Sequence, residues 1–155
     1  MNDTTLLQLF NDDIGTATQL LELIDIEYQA LTDRDLPHLQ SILADKQPLL
    51  AQLDQNGKSR AQILIGLQLS ADRAGLQTLA ERSSVGGDLL ARGDELNELL
   101  ERCQTANLRN GRLIRSGQSS TRNMLGILRG GETPSLYDSR GSAAKIGQQR
   151  PLSQA

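Results

Sequence analysis

The chain holds one histidine, His38, and one cysteine, Cys103, so most imidazole-dependent catalytic and metal arrangements lack parts. Neither an internal disulfide nor a multi-cysteine zinc site can form. Gly57-Lys58-Ser59 has the ending of a phosphate-binding loop, but such a loop needs a glycine five positions earlier, after a strand. Position 52 is Gln52, in a helical pattern, and the match fails. The carboxylates Asp12/Asp13 and Asp94/Glu95/Glu98 could serve acid–base or metal chemistry. At helical spacing, with no apolar pocket legible around them, they read as solvated faces. His38, in the first turn of a helix, reads as exposed, and Cys103, at a core spacing without a paired His, reads as a packed thiol. Catalysis, a cofactor and a metal are therefore not expected.

The elements that would position any site are helical. The 155 residues suit one domain. They include 29 leucines and 9 isoleucines against the single valine Val85, a palette that favours helix over strand and predicts an all-α fold. The longest apolar run, Ile63–Leu67, is interrupted by Gly66 and too short to span a bilayer, and no basic-then-apolar leader opens the chain. The expectation is a soluble cytoplasmic protein with no membrane insertion.

Hydrophobic spacing predicts an antiparallel bundle of three long helices plus one or two short ones within residues 1–130. From 4 to 31 a seven-residue repeat places Leu7, Ile14, Leu21 and Tyr28 in one phase and Phe10, Ala17, Ile24 and Leu31 in the other, with Leu6 and Leu20 widening the stripe. After a polar break, Leu36-Pro37 behind Asp35 is a helix start. The second helix, 36–67, repeats the pattern with Leu36, Leu43, Leu50 and Leu64, and with Leu39, Leu53 and Leu67, reinforced by Ile42, Leu49 and Ile63. Lys46 and Arg60 fall in the second phase, where their stems can lie along the seam while their charges reach water. Pro48 predicts a kink. A short helix over 71–81, capped by Ser70, and a loop over Ser83–Gly87 lead to a third long helix, 88–116, and a further one, 119–129.

Charge is divided along the chain. Residues 1–101 carry 7 basic and 17 acidic side chains, net −10, whereas 102–155 carry 9 and 2, net +7. Six arginines (102, 109, 112, 115, 122, 129) occupy a stretch without an acid, fit for an acidic partner or for neutralising the front half. Nucleic acid is the disfavoured partner, as no aromatic interleaves the arginines for stacking and the pI is about 5.1. In the tail, 131–155, burying Leu136, Tyr137, Ile146 and Leu152 would return about 1.5–3 kcal/mol each. Fixing the backbone costs about 1–2 kcal/mol per residue, so a mobile tail is expected. What remains is helix-to-helix recognition by an amphipathic helix and an apolar-dotted tail.

Cys103-Gln104-Thr105-Ala106-Asn107-Leu108-Arg109-Asn110-Gly111-Arg112-Leu113-Ile114, with Leu136-Tyr137-Asp138-Ser139-Arg140-Gly141 further on, resembles the FlgN family of flagellar export chaperones. Lys46-Gln47-Pro48-Leu49-Leu50-Ala51-Gln52-Leu53 is similar to that family too. Pro48 and the extended Gln/Ser-rich tail depart from its pattern. The resemblance implies a cytoplasmic, non-enzymatic chaperone holding the C-terminal helices of the hook–filament junction proteins FlgK and FlgL and bringing them to the type III export gate. It maps cargo binding to Asn107, Asn110, Gly111, Ile114, Met124, Leu125, Ile127 and Leu128, and docking at the gate component FlhA to Tyr137. Asn107 and Asn110 read equally well as amides that fix helix register, and Gly111 as a site of close helix approach. Self-association stays open. The alternatives are a coiled-coil adaptor unrelated to secretion, pairing through the Leu7–Leu31 seam, and a nucleic-acid-binding bundle.

Overall fold

The computed structural model describes residues 2–129, with side chains as far as Gly117. The described residues form four helices and no strand: α1 (Asn2–Asp33), α2 (Leu36–Gly66), α3 (Arg73–Ala80) and α4 (Gly86–Arg129). The expected all-α architecture of three long helices and a short one is present. The tail, 131–155, lies outside the described residues. The chain divides into two compact units after Ala106.

Local chemistry sets the helix ends. α1 stops in a Schellman motif, in which Asp35 N–H reaches back to the Ala30 carbonyl at 3.0 Å and Arg34 N–H to that of Leu31 at 3.3 Å. Arg34 takes the left-handed position, φ 56°, that glycine usually fills. α2 ends in the same way at Gln68, φ 62°, with Leu69 N–H on the Leu64 carbonyl at 2.9 Å. Asp35 caps α2 by accepting the His38 N–H at 3.1 Å, with Pro37 in the first turn. The helix runs on through Pro48, which lies on an exposed face where water can satisfy the Ala44 carbonyl that proline leaves without a donor. The cap of α3 is Asp72, not Ser70: its carboxylate accepts Gly75 N–H at 3.0 Å, and Ser70 Oγ–H supports that carboxylate at 2.6 Å. A Cβ at Gly75 would lie 1.8 Å from the Ser70 carbonyl oxygen, and one at Gly86 2.0 Å from that of Ala80, so both turns require glycine.

α4 is a single helix over Gly86–Arg129, where the spacing predicts separate helices at 88–116 and 119–129. Gly117 and the neighbouring serines lower helix propensity, but none removes a backbone donor as proline would, so the ladder continues. Its start at Gly86 lies inside the expected loop, where Ser83 Oγ accepts Val85 N–H at 3.1 Å and turns the chain.

In the first unit, α1 and α2 are antiparallel, and the first part of α4 runs parallel to α1, with Cys103 reaching the Ala17 carbonyl. One core cluster joins Leu6, Phe10, Ala17, Leu64, Leu76, Leu79, Leu89 and Leu96, and a second joins Leu20, Ile24, Cys103 and Ala106. One of the two expected phases is displaced by one residue, while Phe10, Ala17 and Ile24 of the other face the core as the spacing predicts. Leu6, Asp13, Leu20 and Glu27 turn inward beside Phe10, Ala17 and Ile24, whereas Leu7, Ile14, Leu21 and Leu31 are half-buried and Tyr28 is exposed. On α2 the inward set is Ile42, Lys46, Leu49, Leu53, Asn56 and Arg60, while Leu36, Leu43 and Leu50 face outward. Two ion pairs make this phase tolerable. Asp13 pairs with Arg60 and Glu27 with Lys46 at 3.2 Å. The two acids are two heptads apart on α1 and the two bases two heptads apart on α2, so one antiparallel register joins both pairs.

Candidate functional site

The second unit opens with Asn107, Asn110, Gly111 and Ile114, whose spacing of three, four and seven residues puts them on one side of α4. Asn107 is exposed, Gly111 half-buried and Ile114 36% exposed, whereas Asn110 is only 2% exposed. The Arg109 Nε–H donates to the Asn110 side-chain oxygen at 3.1 Å. Among the described residues Gly111 is not a point of close helix approach: a Cβ there would meet nothing nearer than the end of the Arg115 side chain at 3.4 Å. The helix continues through Met124, Leu125, Ile127 and Leu128, whose side chains lie outside the described residues, as does Tyr137.

Leu108 is 54% exposed and was not singled out by spacing, since it stands off the apolar stripe. Its exposed neighbours one and two turns on are Arg112 and Arg115. The described part of this unit thus presents Leu108 between Arg112 and Arg115 on one side of α4 and Ile114 about a third of a turn away, with no acid on α4 beyond Glu101. Such a surface suits an amphipathic helix with acidic borders: the apolar side chains exclude water and the guanidinium forks pair with carboxylates.

The first unit's chemistry-bearing groups are structural. Asp13 accepts from Asn56 Nδ2 at 2.8 Å as well as from Arg60, and Gln52 in turn donates to Asn56 at 3.0 Å. Burial pushes the Arg60 guanidinium below its ordinary pKa, and the Asp13 carboxylate supplies the compensating charge. Asp94 takes a two-pronged contact from Arg73, at 2.8 and 3.0 Å, which holds its carboxyl below the usual range. That is opposite to what a general acid at neutral pH requires. Lys58 lies on α2 beside Asp54 at 3.2 Å, not in a loop. Cys103 is buried, and burial raises its thiol pKa, which suppresses the thiolate. A cleft of about 350 Å³ opens between Phe10, Arg60, Leu64, Leu76, Gly93 and Asp94, and the two arginines on its border already have carboxylate partners. Among the described residues no group of side chains could hold a metal ion, and no helix is long and apolar enough to cross a membrane.

No curated protein matches the chain. The family model described as FlgN protein matches residues 1–145. A crystal structure of a flagella synthesis protein FlgN from Pseudomonas aeruginosa is 58% identical, covers 81% of this chain and 96% of that one, and superposes with a TM-score of 0.69. A match over nearly the whole length, joined to the same helical fold, makes the chain a member of the FlgN family of flagellar synthesis proteins.

Proposed function

We propose that this FlgN-family protein is a cytoplasmic, non-enzymatic export chaperone that holds the C-terminal helices of FlgK and FlgL and delivers them to the export-gate component FlhA. The observation that supports it most is the acid-free end of α4, where Leu108 and Ile114 are exposed among Arg112 and Arg115. A client helix lays its apolar face over Ile114 and continues along Met124, Leu125, Ile127 and Leu128, with Leu108 at the other side of α4 left to the flanking client segment. Client carboxylates meet the arginines at the rim. Asn107, being exposed, offers its amide to the client, while Asn110, being buried, serves register. Tyr137 docks at FlhA. Covering client helices that would otherwise expose apolar surface needs only differential burial, with no bond made or broken.

The test is capture of FlgK and FlgL by the full chain, by a chain ending at Ser116, and by Leu108→Asp with Ile114→Asp. Both altered forms are expected to lose stoichiometric capture at moderate salt. Tyr137→Ala is expected to keep the client and lose recovery of FlhA. Unaltered capture by the truncated chain refutes the proposal.

A further inference from the structure

On α4, Arg112, Arg115, Arg122 and Arg129 follow one another at intervals of three and seven residues, so they hold a single row about 26 Å long at the helical rise of about 1.5 Å per residue. Ser119 and Gly126 fill the positions between them, and Leu108 stands in line one turn before Arg112. At the start of the row Leu108, Arg112 and Arg115 are exposed, and the two arginines have no ion-pair partner among the described residues. At about 100° per residue the row lies half a turn from Cys103 and Ala106, which α4 buries against Leu20 and Ile24 of α1. We propose that this row adsorbs the protein to an anionic lipid surface, with its guanidinium groups on the phosphates and carboxylates of the headgroups.

The composition of the row selects a lipid surface. A protein partner needs an apolar centre to its interface with charge kept to the rim, and here arginines hold the centre while Leu108 is the one large apolar residue in line. A nucleic acid held without base readout gains from aromatic side chains on which its bases stack, and residues 102–129 contain none. A headgroup layer asks for neither. It rewards cations clustered on one side of a helix, each arginine near the surface contributing about a fivefold gain in affinity. The guanidinium fork also matches a phosphate in two-pronged fashion, and the small Ser119 and Gly126 put no bulk between the forks.

The acids of the chain do not cancel the row. Its net charge of −3 divides into −10 over residues 1–101 and +7 over residues 102–155. The last acid on α4 is Glu101, about 16 Å along the helix from Arg112, and that is about two Debye lengths at physiological salt. The carboxylates of α1 belong to a helix packed on the opposite side of α4, against Cys103 and Ala106. Adsorption is therefore local to the row and reversible, a contact with headgroups and not an insertion, since among the described residues no helix is long and apolar enough to cross a membrane.

Flotation of the full chain, without a client, on vesicles of phosphatidylcholine with about 30% phosphatidylserine is expected to recover the protein, whereas vesicles of phosphatidylcholine alone should leave it behind. Recovery should fall steeply as salt rises from about 0.1 to about 1 M and the Debye length contracts from about 10 to about 3 Å. Arg112→Gln with Arg115→Gln, and separately Arg122→Gln with Arg129→Gln, should each weaken adsorption about twentyfold. Arg112→Lys with Arg115→Lys should keep most of it, because charge carries the contact. Arg112 and Arg115 are exposed, so their variants should keep the circular dichroism of the parent. No recovery on phosphatidylserine vesicles, equal recovery on phosphatidylcholine alone, or recovery indifferent to both glutamine pairs overturns the proposal. So does a single-stranded RNA or an acidic peptide that binds through the same arginines more tightly than the vesicles at equal salt, which would give the row to that partner. Because no client is present, the outcome is separate from capture of FlgK and FlgL.

Discussion

Asp13→Ala is expected to destabilise the protein by about 3 kcal/mol, because it removes one member of a buried charged pair and leaves the other behind. Asp13 is wholly buried, and the Arg60 side chain is 17% exposed. Losing one partner of such a pair costs about 3–5 kcal/mol. The lower end applies here, since Arg60 keeps a path to water and lies 5.3 Å over the Phe10 ring. Against a total stability of about 5–15 kcal/mol that is a large fraction. Asp13→Leu combined with Arg60→Leu removes both desolvated charges but leaves the buried Asn56 amide without its acceptor, so it should recover most of the loss and not all of it. Urea unfolding followed by circular dichroism measures both, with unchanged m-values confirming that the same surface is exposed. If Asp13→Ala costs less than about 1 kcal/mol, or the double variant is no better than the single one, the pair does not do what its burial implies. Replacing Glu27, Lys46 and Asn56 by leucine as well should leave the seam apolar throughout and the hairpin free to shift by a heptad, visible as doubled amide resonances.

Glycines give a contrast of opposite sign. Gly15→Ala meets nothing within 4 Å on α1 and should stabilise by about 1 kcal/mol, whereas Gly75→Ala forces a Cβ to within 1.8 Å of a backbone oxygen and should lower the melting temperature severely. Asp3 accepts the Ser83 hydroxyl at 2.6 Å, which is the chief reason its carboxyl is lowered to about 2 from 3.8. A depressed folded-state pKa means that its contribution is fully present above about pH 4 and is lost as pH falls through about 2. Carboxyl NMR should find that low titration, and Ser83→Ala should raise it. Cys103 should resist thiol reagents in the native protein and react once unfolded, because it is 4% exposed and its thiol donates to the Ala17 carbonyl at 3.7 Å; rapid native labelling would contradict its packing.

Much of the architecture was legible because it rests on local chemistry. Asp35 before Leu36-Pro37 marks a helix start whatever the rest of the chain does, and the leucine repeat around Phe10, Ala17 and Ile24 marks a buried face. The ends at Arg34 and Gln68 were legible in place, as the polar break at 32–35 and the stop near Leu67, but not in conformation, since a non-glycine residue at positive φ leaves no compositional trace. The client surface proposed on α4 was reached through the motif around Asn107–Ile114. Leu108, the most exposed leucine of that segment's described residues, lay off its stripe and needed coordinates to be found.

What the order of residues determined by itself is the helical class, the hairpin, and the split between an acidic front and a basic end. All of these follow from side-chain propensity, capping and charge, which act within a few residues. Tertiary structure decided which of the neighbouring heptad phases faces inward. Leu6, Leu7 and Phe10 allow more than one buried stripe on α1, and hydrophobicity alone favours the one without carboxylates. The fold buries Asp13 and Glu27 because Arg60 and Lys46 arrive from α2 to meet them, 47 and 19 residues away, and an attraction between such distant positions exists only once the hairpin has closed.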